Sequence, residues 1–283
     1  RTMRPHQWTK NGFVLAALIF SQHLFDLPYL ARALVAFAAF CLLSSSVYIF
    51  NDIKDREHDR VHPRKRSRPI ASGELSTGSA GAAGLGLLFA GLALSFPLGV
   101  PFIAAAASYI FLQAGYIYIL KRVVLLDVIV ISLGFVIRAI AGAVAISVFI
   151  SPWLILITFL LALFLALAKR RHELILLNEV AVDHRSNLAD YTVPLLDQLI
   201  SIVTAATIIS YSIYTLSPDV TEKIGNRYMI LTLPFVLYGI FRYLYLIYVK
   251  EKGGSPTRAL LADLPLLVSV VLWGLTAVGI IYF

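Results

Sequence analysis

Nine long apolar stretches recur along the chain, and their length sets the fold class. They run over about 9–25, 29–51, 77–97, 101–120, 123–148, 152–170, 191–216, 227–249 and 264–282. A membrane-crossing helix needs roughly 20 predominantly apolar residues. Charged residues make up only 14% of the chain and mean hydropathy is +0.82, against about a quarter charged in ordinary soluble domains. The expectation is an all-α integral membrane protein with nine transmembrane helices. No linker or low-complexity tract divides it, so residues 1–283 read as a single membrane domain. The lone cysteine, Cys41, excludes an intrachain disulfide, and no cleavable signal peptide is expected.

Lysine and arginine orient the spans, because they concentrate in cytoplasmic loops. With the N-terminus cytoplasmic, 19 Lys and Arg fall in inside segments and 3 in outside segments. The inside loops at 52–76, 171–190 and 250–263 are long, whereas the outside loops at 97–101 and 149–152 are minimal. The chemistry is therefore expected on the cytoplasmic side of a cell membrane. A net charge of +8 is explained by the anionic cytoplasmic leaflet and needs no nucleic acid.

Residues 52–68 hold seven basic and four acidic side chains beside a long apolar segment. Asn51, Asp52, Asp55 and Asp59 fit the pattern N-D-x-x-D-x-x-x-D. Asn51, Asp55 and Asp59 are spaced by four, which puts them on one face of a continuing helix, with Asp52 at its edge. Clustered carboxylates gather divalent cations, and Mg2+ is usually held by one or two carboxylates plus substrate phosphates. The alternative is a solvated cap at the membrane edge. The following run, His62 to Gly73, carries Lys65, Arg66 and Arg68. Guanidinium and ammonium groups grip phosphate oxygens, although a topology or lipid-headgroup anchor has the same composition.

Further polar residues sit in or beside spans. Tyr118 lies one turn from Lys121, and the two can share an anionic ligand or form an aromatic belt with a snorkelling lysine. Arg138 lies deep in the fifth span, where an arginine faces a polar cavity or a partner. Lys169, Arg170 and Glu173 open the third inside loop. Asp190, Tyr191 and Asp197 close it as a second acidic patch, with Asp197 expected below the surface among leucines. No metal-ligand histidine spacing, nucleophile triad or phosphate-binding glycine loop is present.

The Asn51–Asp59 motif in a nine-span apolar chain resembles the UbiA superfamily of intramembrane prenyltransferases. Other stretches resemble its decaprenyl-phosphate phosphoribosyltransferase branch: Arg4 to Asn11, His62 to Gly73, Leu125 to Val128, Ala168 to Leu174, and Gly253 to Pro256. The resemblance covers the whole chain and implies a UbiA-type helical bundle with Mg2+ as cofactor. In the superfamily the first motif and a second acidic motif bind Mg2+-diphosphate. By that resemblance Asp52, Asp55 and Asp59 are catalytic, and Asn51, Asp52, Asp55, Asp59 and Asp197 are metal ligands. The substrate-binding set is then Lys10, Asn51, Lys65, Arg66, Arg68, Tyr118, Lys121, Arg138, Lys169, Arg170, Glu173 and Tyr191. The usual second motif, D-x-x-x-D, is not intact here, and Y-x-x-x-K is one residue short at Tyr118–Lys121.

The branch makes decaprenylphosphoryl-5-phosphoribose for arabinan synthesis in actinobacterial cell walls. The implied partners are phosphoribosyl diphosphate, a polyprenyl phosphate lipid and the bilayer. The surplus of basic residues suits a donor with a diphosphate and a second phosphate. Two other readings stand beside it. One is a UbiA-type prenyltransferase with a prenyl diphosphate donor and an aromatic or other acceptor. The other is a transporter, against which the polar groups cluster at one face rather than the midplane and no internal repeat is visible.

Overall fold

Helix starts are written into the sequence by proline and small polar residues. The computed structural model describes residues 2–61, 65–179, 188, 190–250, 254 and 256–283. The motif positions at 62–64, 183–187, 189, 253 and 255 lie outside these. The helices are α1 (Ala16–Phe20), α2 (Leu27–Lys54), α3 (Arg56–Val61), α4 (Pro69–Ser72), α5 (Thr77–Ser95), α6 (Val100–Tyr118) and α7 (Leu126–Ala145). They continue as α8 (Pro152–Glu179), α9 (Val193–Leu216), α10 (Pro218–Ile224), α11 (Leu233–Tyr248), α12 (Pro256–Ala262) and α13 (Leu264–Tyr282). No strand occurs among the described residues. Proline occupies the first or second position of α2, α6, α9, α10, α11 and α13, where its missing N–H costs nothing. Ser76, Thr192 and Asp263 cap α5, α9 and α13 by accepting from Ser79, Leu195 and Leu266 N–H groups.

Eight helical segments are long and apolar enough to cross a membrane, from Leu27–Lys54 to Leu264–Tyr282. These match eight of the nine expected spans. The first expected span, 9–25, is different. It is a 3-10 helix over Pro5–Leu15 followed by the five-residue α1, too short a run of α-helix to count among the eight. Its depth is nonetheless considerable. Arg4 meets Asp52, Trp8 Nε1 donates to Ser45 Oγ at 3.0 Å, Asn11 Nδ2 donates to Ser44 Oγ at 3.1 Å, and Leu18 packs in one cluster with Ala33. Arg4 to Leu18 thus runs antiparallel to α2 from Asp52 to Ala33, about 28 Å at 1.5 Å per residue. Fewer residues suffice because a 3-10 helix rises about 2.0 Å per residue.

The chain divides into two compact units, Arg1–Leu120 with Gly134–Ile150, and Lys121–Leu133 with Ser151–Phe283. In the first, glycines let helices close up, as in membrane bundles generally. A Cβ at Gly91 would meet the Leu43 side chain at 2.8 Å, and one at Gly84 would meet Phe50 at 3.2 Å. Ser46 Oγ donates to the Gly84 carbonyl at 2.8 Å. A Cβ at Gly142 would fall on the Val14 carbonyl oxygen. That close approach seats the 3-10 segment against α7. Gly142→Leu should therefore displace residues 11–18 and sharply reduce monodisperse protein recovered by size-exclusion chromatography. Wild-type recovery and melting would show that the close approach does not exist.

In the second unit the core runs through α8, α9, α11 and α12. Phe164, Leu167, Leu196, Ile200, Leu246, Ile247 and Ala259 form one buried cluster. Arg242 grips Asp263 through two bonds, Nε–Oδ1 at 3.0 Å and Nη2–Oδ2 at 2.9 Å.

Candidate functional site

The acidic motif is held at the end of α2 and in α3. The expectation of one continuing face through Asn51, Asp55 and Asp59 is corrected. Asp55 caps α2 with φ −90° and ψ 5°, and the chain restarts as α3. The inward pair is Asp52 and Asp59, seven residues and about two turns apart and each 3% exposed, while Asn51 and Asp55 are half-buried.

Two arginines meet this buried pair. One nitrogen of Arg68, Nη1, donates to Asp52 Oδ1 at 3.0 Å and to Asp59 Oδ2 at 2.5 Å. Arg4 Nη2 donates to the same Asp52 oxygen, and its guanidinium lies over the Tyr48 ring, 5.3 Å from the centroid. Arg68 reaches the motif because it stands at the N-terminus of α4, and Arg60 Nε ties α3 to the Ala71 carbonyl of α4 at 3.2 Å. Together the two carboxylates and two guanidiniums are formally neutral. That balance makes the buried charges tolerable.

Asp52 and Asp59 present hard oxygen donors that converge on one cationic nitrogen. A compact divalent cation prefers that donor chemistry. No group of three or more His, Cys, Asp or Glu side chains gathers as a metal centre among the described residues. A cation here would complete its shell from phosphate and water.

The other expected residues of this unit separate into distinct environments. Lys65 is half-buried and Arg66 exposed. Lys10 is half-buried on the 3-10 segment. Tyr118 is exposed at the end of α6, where Lys54 Nζ lies 5.6 Å from its ring centroid. Arg138 is buried in a polar knot. Its Nε donates to Asn11 Oδ1 at 2.8 Å, Nη1 to the Gly134 carbonyl at 2.7 Å, and Nη2 to Tyr109 Oη at 2.9 Å. Those partners fasten the 3-10 segment to α6 and α7.

The second unit carries its own constellation. Asp127, fully buried at the start of α7, accepts from Arg170 Nε at 2.7 Å and from Tyr191 Oη at 2.7 Å. Arg170 Nη1 also donates to Glu173, and Lys169 Nζ stands 3.7 Å from Glu173 Oε1. Lys121 is buried as well. Tyr191 Oη accepts from the Leu125 N–H at 2.8 Å, which holds Leu125 in the left-handed region at φ 66°. Asp197 departs from the expectation of burial. Its side chain is 35% exposed and accepts from Arg171 Nε at 2.5 Å. Arg171 in turn lies over the Tyr248 ring.

Burial, and then the hydrogen bond to Asp127, push the Tyr191 phenol above its ordinary 10.0. Tyr191 stays protonated at neutral pH and donates to Asp127. The folded chain holds this proton more tightly than the unfolded chain, so the associated stability is complete below pH 10 and is lost as pH rises through the folded value. Melting curves of wild type and Tyr191→Phe should accordingly converge only as pH climbs above about 10. A gap that is constant across the alkaline range would contradict this.

Arg4 and Asp127 fall within the Arg4–Asn11 and Leu125–Val128 stretches without an expected role. Arg4 was legible as a cation at the edge of the first apolar stretch. Asp127 was legible as an acid opening the fifth.

The UbiA prenyltransferase family model matches residues 12–264. A decaprenyl-phosphate phosphoribosyltransferase of Corynebacterium glutamicum is 34% identical, over 100% of this chain and 86% of its own length. One of Mycolicibacterium smegmatis is 35% identical, over 100% of this chain and 92% of its own length. Among solved structures, a UbiA homologue from Archaeoglobus fulgidus bound to GPP and Mg2+ superposes with TM-score 0.73 at 16% identity, covering 100% of this chain and 99% of the other.

Proposed function

The chain belongs to the UbiA prenyltransferase family, and from that premise we propose that it is a polyprenyl-phosphate 5-phosphoribosyltransferase. It transfers 5-phosphoribosyl from phosphoribosyl diphosphate to a lipid phosphate and releases diphosphate. The observation that carries this reading is identity of 34–35% along the entire chain to two relatives named for that transfer.

The local chemistry supports it. An acceptor phosphate oxygen attacks C1 of the ribose, the C1–O bond to diphosphate breaks, and positive charge develops at C1. The acceptor is already an anion, so no strong base is required. Catalysis then rests on neutralising the departing diphosphate. Arg68 is the guanidinium shared by both acids of the pair, with Lys65 and Arg66 following Asp59 in sequence. Mg2+, held by Asp52 and Asp59 with Asn51 and Asp55 adjacent, would supply Lewis-acid charge neutralisation. The solved relative with GPP and Mg2+ is consistent with such a cation. In the second unit Arg170, set by Asp127, is a buried cation, with Lys169 beside it in sequence, Tyr191 on the same Asp127 carboxylate and Lys121 also buried.

The family match crosses both compact units, which supports one membrane domain. The residue-by-residue depth match between Arg4–Leu18 and α2 supports a ninth crossing by the 3-10 segment. The 19-to-3 partition of Lys and Arg supports a cytoplasmic N-terminus and active face. A cysteine placed at exposed Ser72 in a Cys41→Ala background should react with impermeant thiol reagents only in inverted vesicles. Labelling of right-side-out vesicles would reverse the orientation.

The enzymatic test is direct. Purified chain, polyprenyl phosphate and radiolabelled phosphoribosyl diphosphate should yield labelled lipid in Mg2+ and none in excess chelator. Prenylation of an aromatic acceptor from a prenyl diphosphate, without sugar transfer, would replace this reading with the general activity of the superfamily.

A further inference from the structure

An apolar groove of about 460 Å³ runs beside the charged pair in the first unit. It is lined by Thr2, Met3, Ile49, Leu75, Gly86 and Leu87, with Ala83. The volume falls in the range of small-ligand sites, about 300–1,000 Å³. Its walls lead to both arginines of the acidic motif. Met3 precedes Arg4, and Ile49 lies one turn before Asp52 on α2. Leu75 N–H donates to the Pro69 carbonyl at 2.9 Å, next to Arg68. Ala83 and Gly86 lie on an exposed face of the membrane helix α5, so the groove is presented to hydrocarbon.

Arg4 itself adopts φ 51° and ψ 61°, a left-handed conformation that a non-glycine residue keeps only when its surroundings impose it. A guanidinium has five N–H donors, and Asp52 accepts from the terminal nitrogen Nη2. Arg4 and Arg68 remain 21% and 27% exposed in their side chains.

We propose that this groove and Arg4 form the acceptor subsite, binding the phosphate-proximal isoprenoid units of a polyprenyl phosphate with its phosphate at Arg4. This rests on the phosphoribosyltransferase reading for the identity of the lipid. A terminal phosphate monoester carries more charge than the diester of a bulk phospholipid and offers three oxygens to a planar fork. Complementarity to the Arg4 guanidinium therefore selects it over ordinary membrane lipid.

The test uses the full chain in nanodiscs and a diazirine-bearing polyprenyl phosphate, with no donor present. Cross-links should map to peptides containing Met3, Ile49, Leu75 or Leu87. Nothing lies within 4 Å of a Cβ at Gly86 or Gly81, so a side chain can leave the helix at either. Gly86→Trp fills the groove, and Gly81→Trp is a matched control outside it. Gly86→Trp and Arg4→Gln should each lower labelling at least about tenfold, as expected for losing a charge-assisted bond or its equivalent. Gly81→Trp should leave labelling unchanged. In turnover, Gly86→Trp should raise the acceptor KM and spare the donor KM. Labelling that survives Gly86→Trp, or that phosphatidylglycerol chases as well as unlabelled polyprenyl phosphate does, overturns the subsite. Groove labelling in a chain that transfers no phosphoribosyl would instead keep the subsite and overturn the reaction assigned to it.

Discussion

Asp59→Asn is expected to lower kcat/KM about a thousandfold, the scale of losing a preorganised electrostatic partner of the transition state. The substitution is nearly isosteric. An amide oxygen still accepts from Arg68 Nη1, which stands 2.5 Å from the native carboxylate, so α3 and α4 should keep their places. What disappears is one of two buried negative charges able to hold a cation against diphosphate. Raising Mg2+ should recover part of the loss in Asp59→Asn, because the remaining carboxylate still offers oxygen donors. Steady-state rates over a Mg2+ series, with melting temperature as the control for folding, decide it. Near-wild-type rates at limiting Mg2+ would remove Asp59 from the metal role. Asp52→Asn should be worse for stability as well as rate, since Arg4 and Arg68 share one Asp52 oxygen.

Asp127→Ala should cost up to about 3–5 kcal/mol of stability, the usual penalty for breaking a buried ion pair by removing one partner. Its carboxylate is fully buried and accepts from both Arg170 and Tyr191. Deleting it leaves a guanidinium that is itself 4% exposed with only the more exposed Glu173 of its two carboxylates described here, and releases the phenol that holds Leu125. Thermal melting in detergent should show a large loss for Asp127→Ala. Asp127→Ala with Arg170→Leu should melt higher than Asp127→Ala alone, because the buried guanidinium that has lost its Asp127 partner is gone. Lys169→Gln is the contrast: its 3.7 Å pair with Glu173 is half-exposed and should be worth about 0–1 kcal/mol. If the double variant melts no higher than the single one, the ion pair is not what Asp127 contributes.

The apolar spans, the kind of fold and the bias of basic residues were all legible in the sequence. Hydropathy is a local property, and a helix in lipid satisfies its backbone within itself. Eight of the nine expected spans needed no neighbour to be recognised. The 3-10 segment did, because its winding depends on α2 and α7 at Ser44, Ser45 and Gly142. The residue types of the site were also visible, since carboxylates and arginines at a membrane edge are rare enough to stand out.

Which of them meet was decided only in three dimensions. Spacing by four pointed to Asn51, Asp55 and Asp59. The structure instead buries Asp52 and Asp59, seven residues and about two turns apart, on either side of the break at Asp55. Arg4 reaches Asp52 across 48 residues of sequence, and Asp127 reaches Tyr191 across 64. Asp197, surrounded by leucines in the sequence, sits half-exposed against Arg171. Pattern along a chain fixes what each helix is made of. The rotation of one helix against the next, set by glycine contacts and buried hydrogen bonds, fixes which charges share a site.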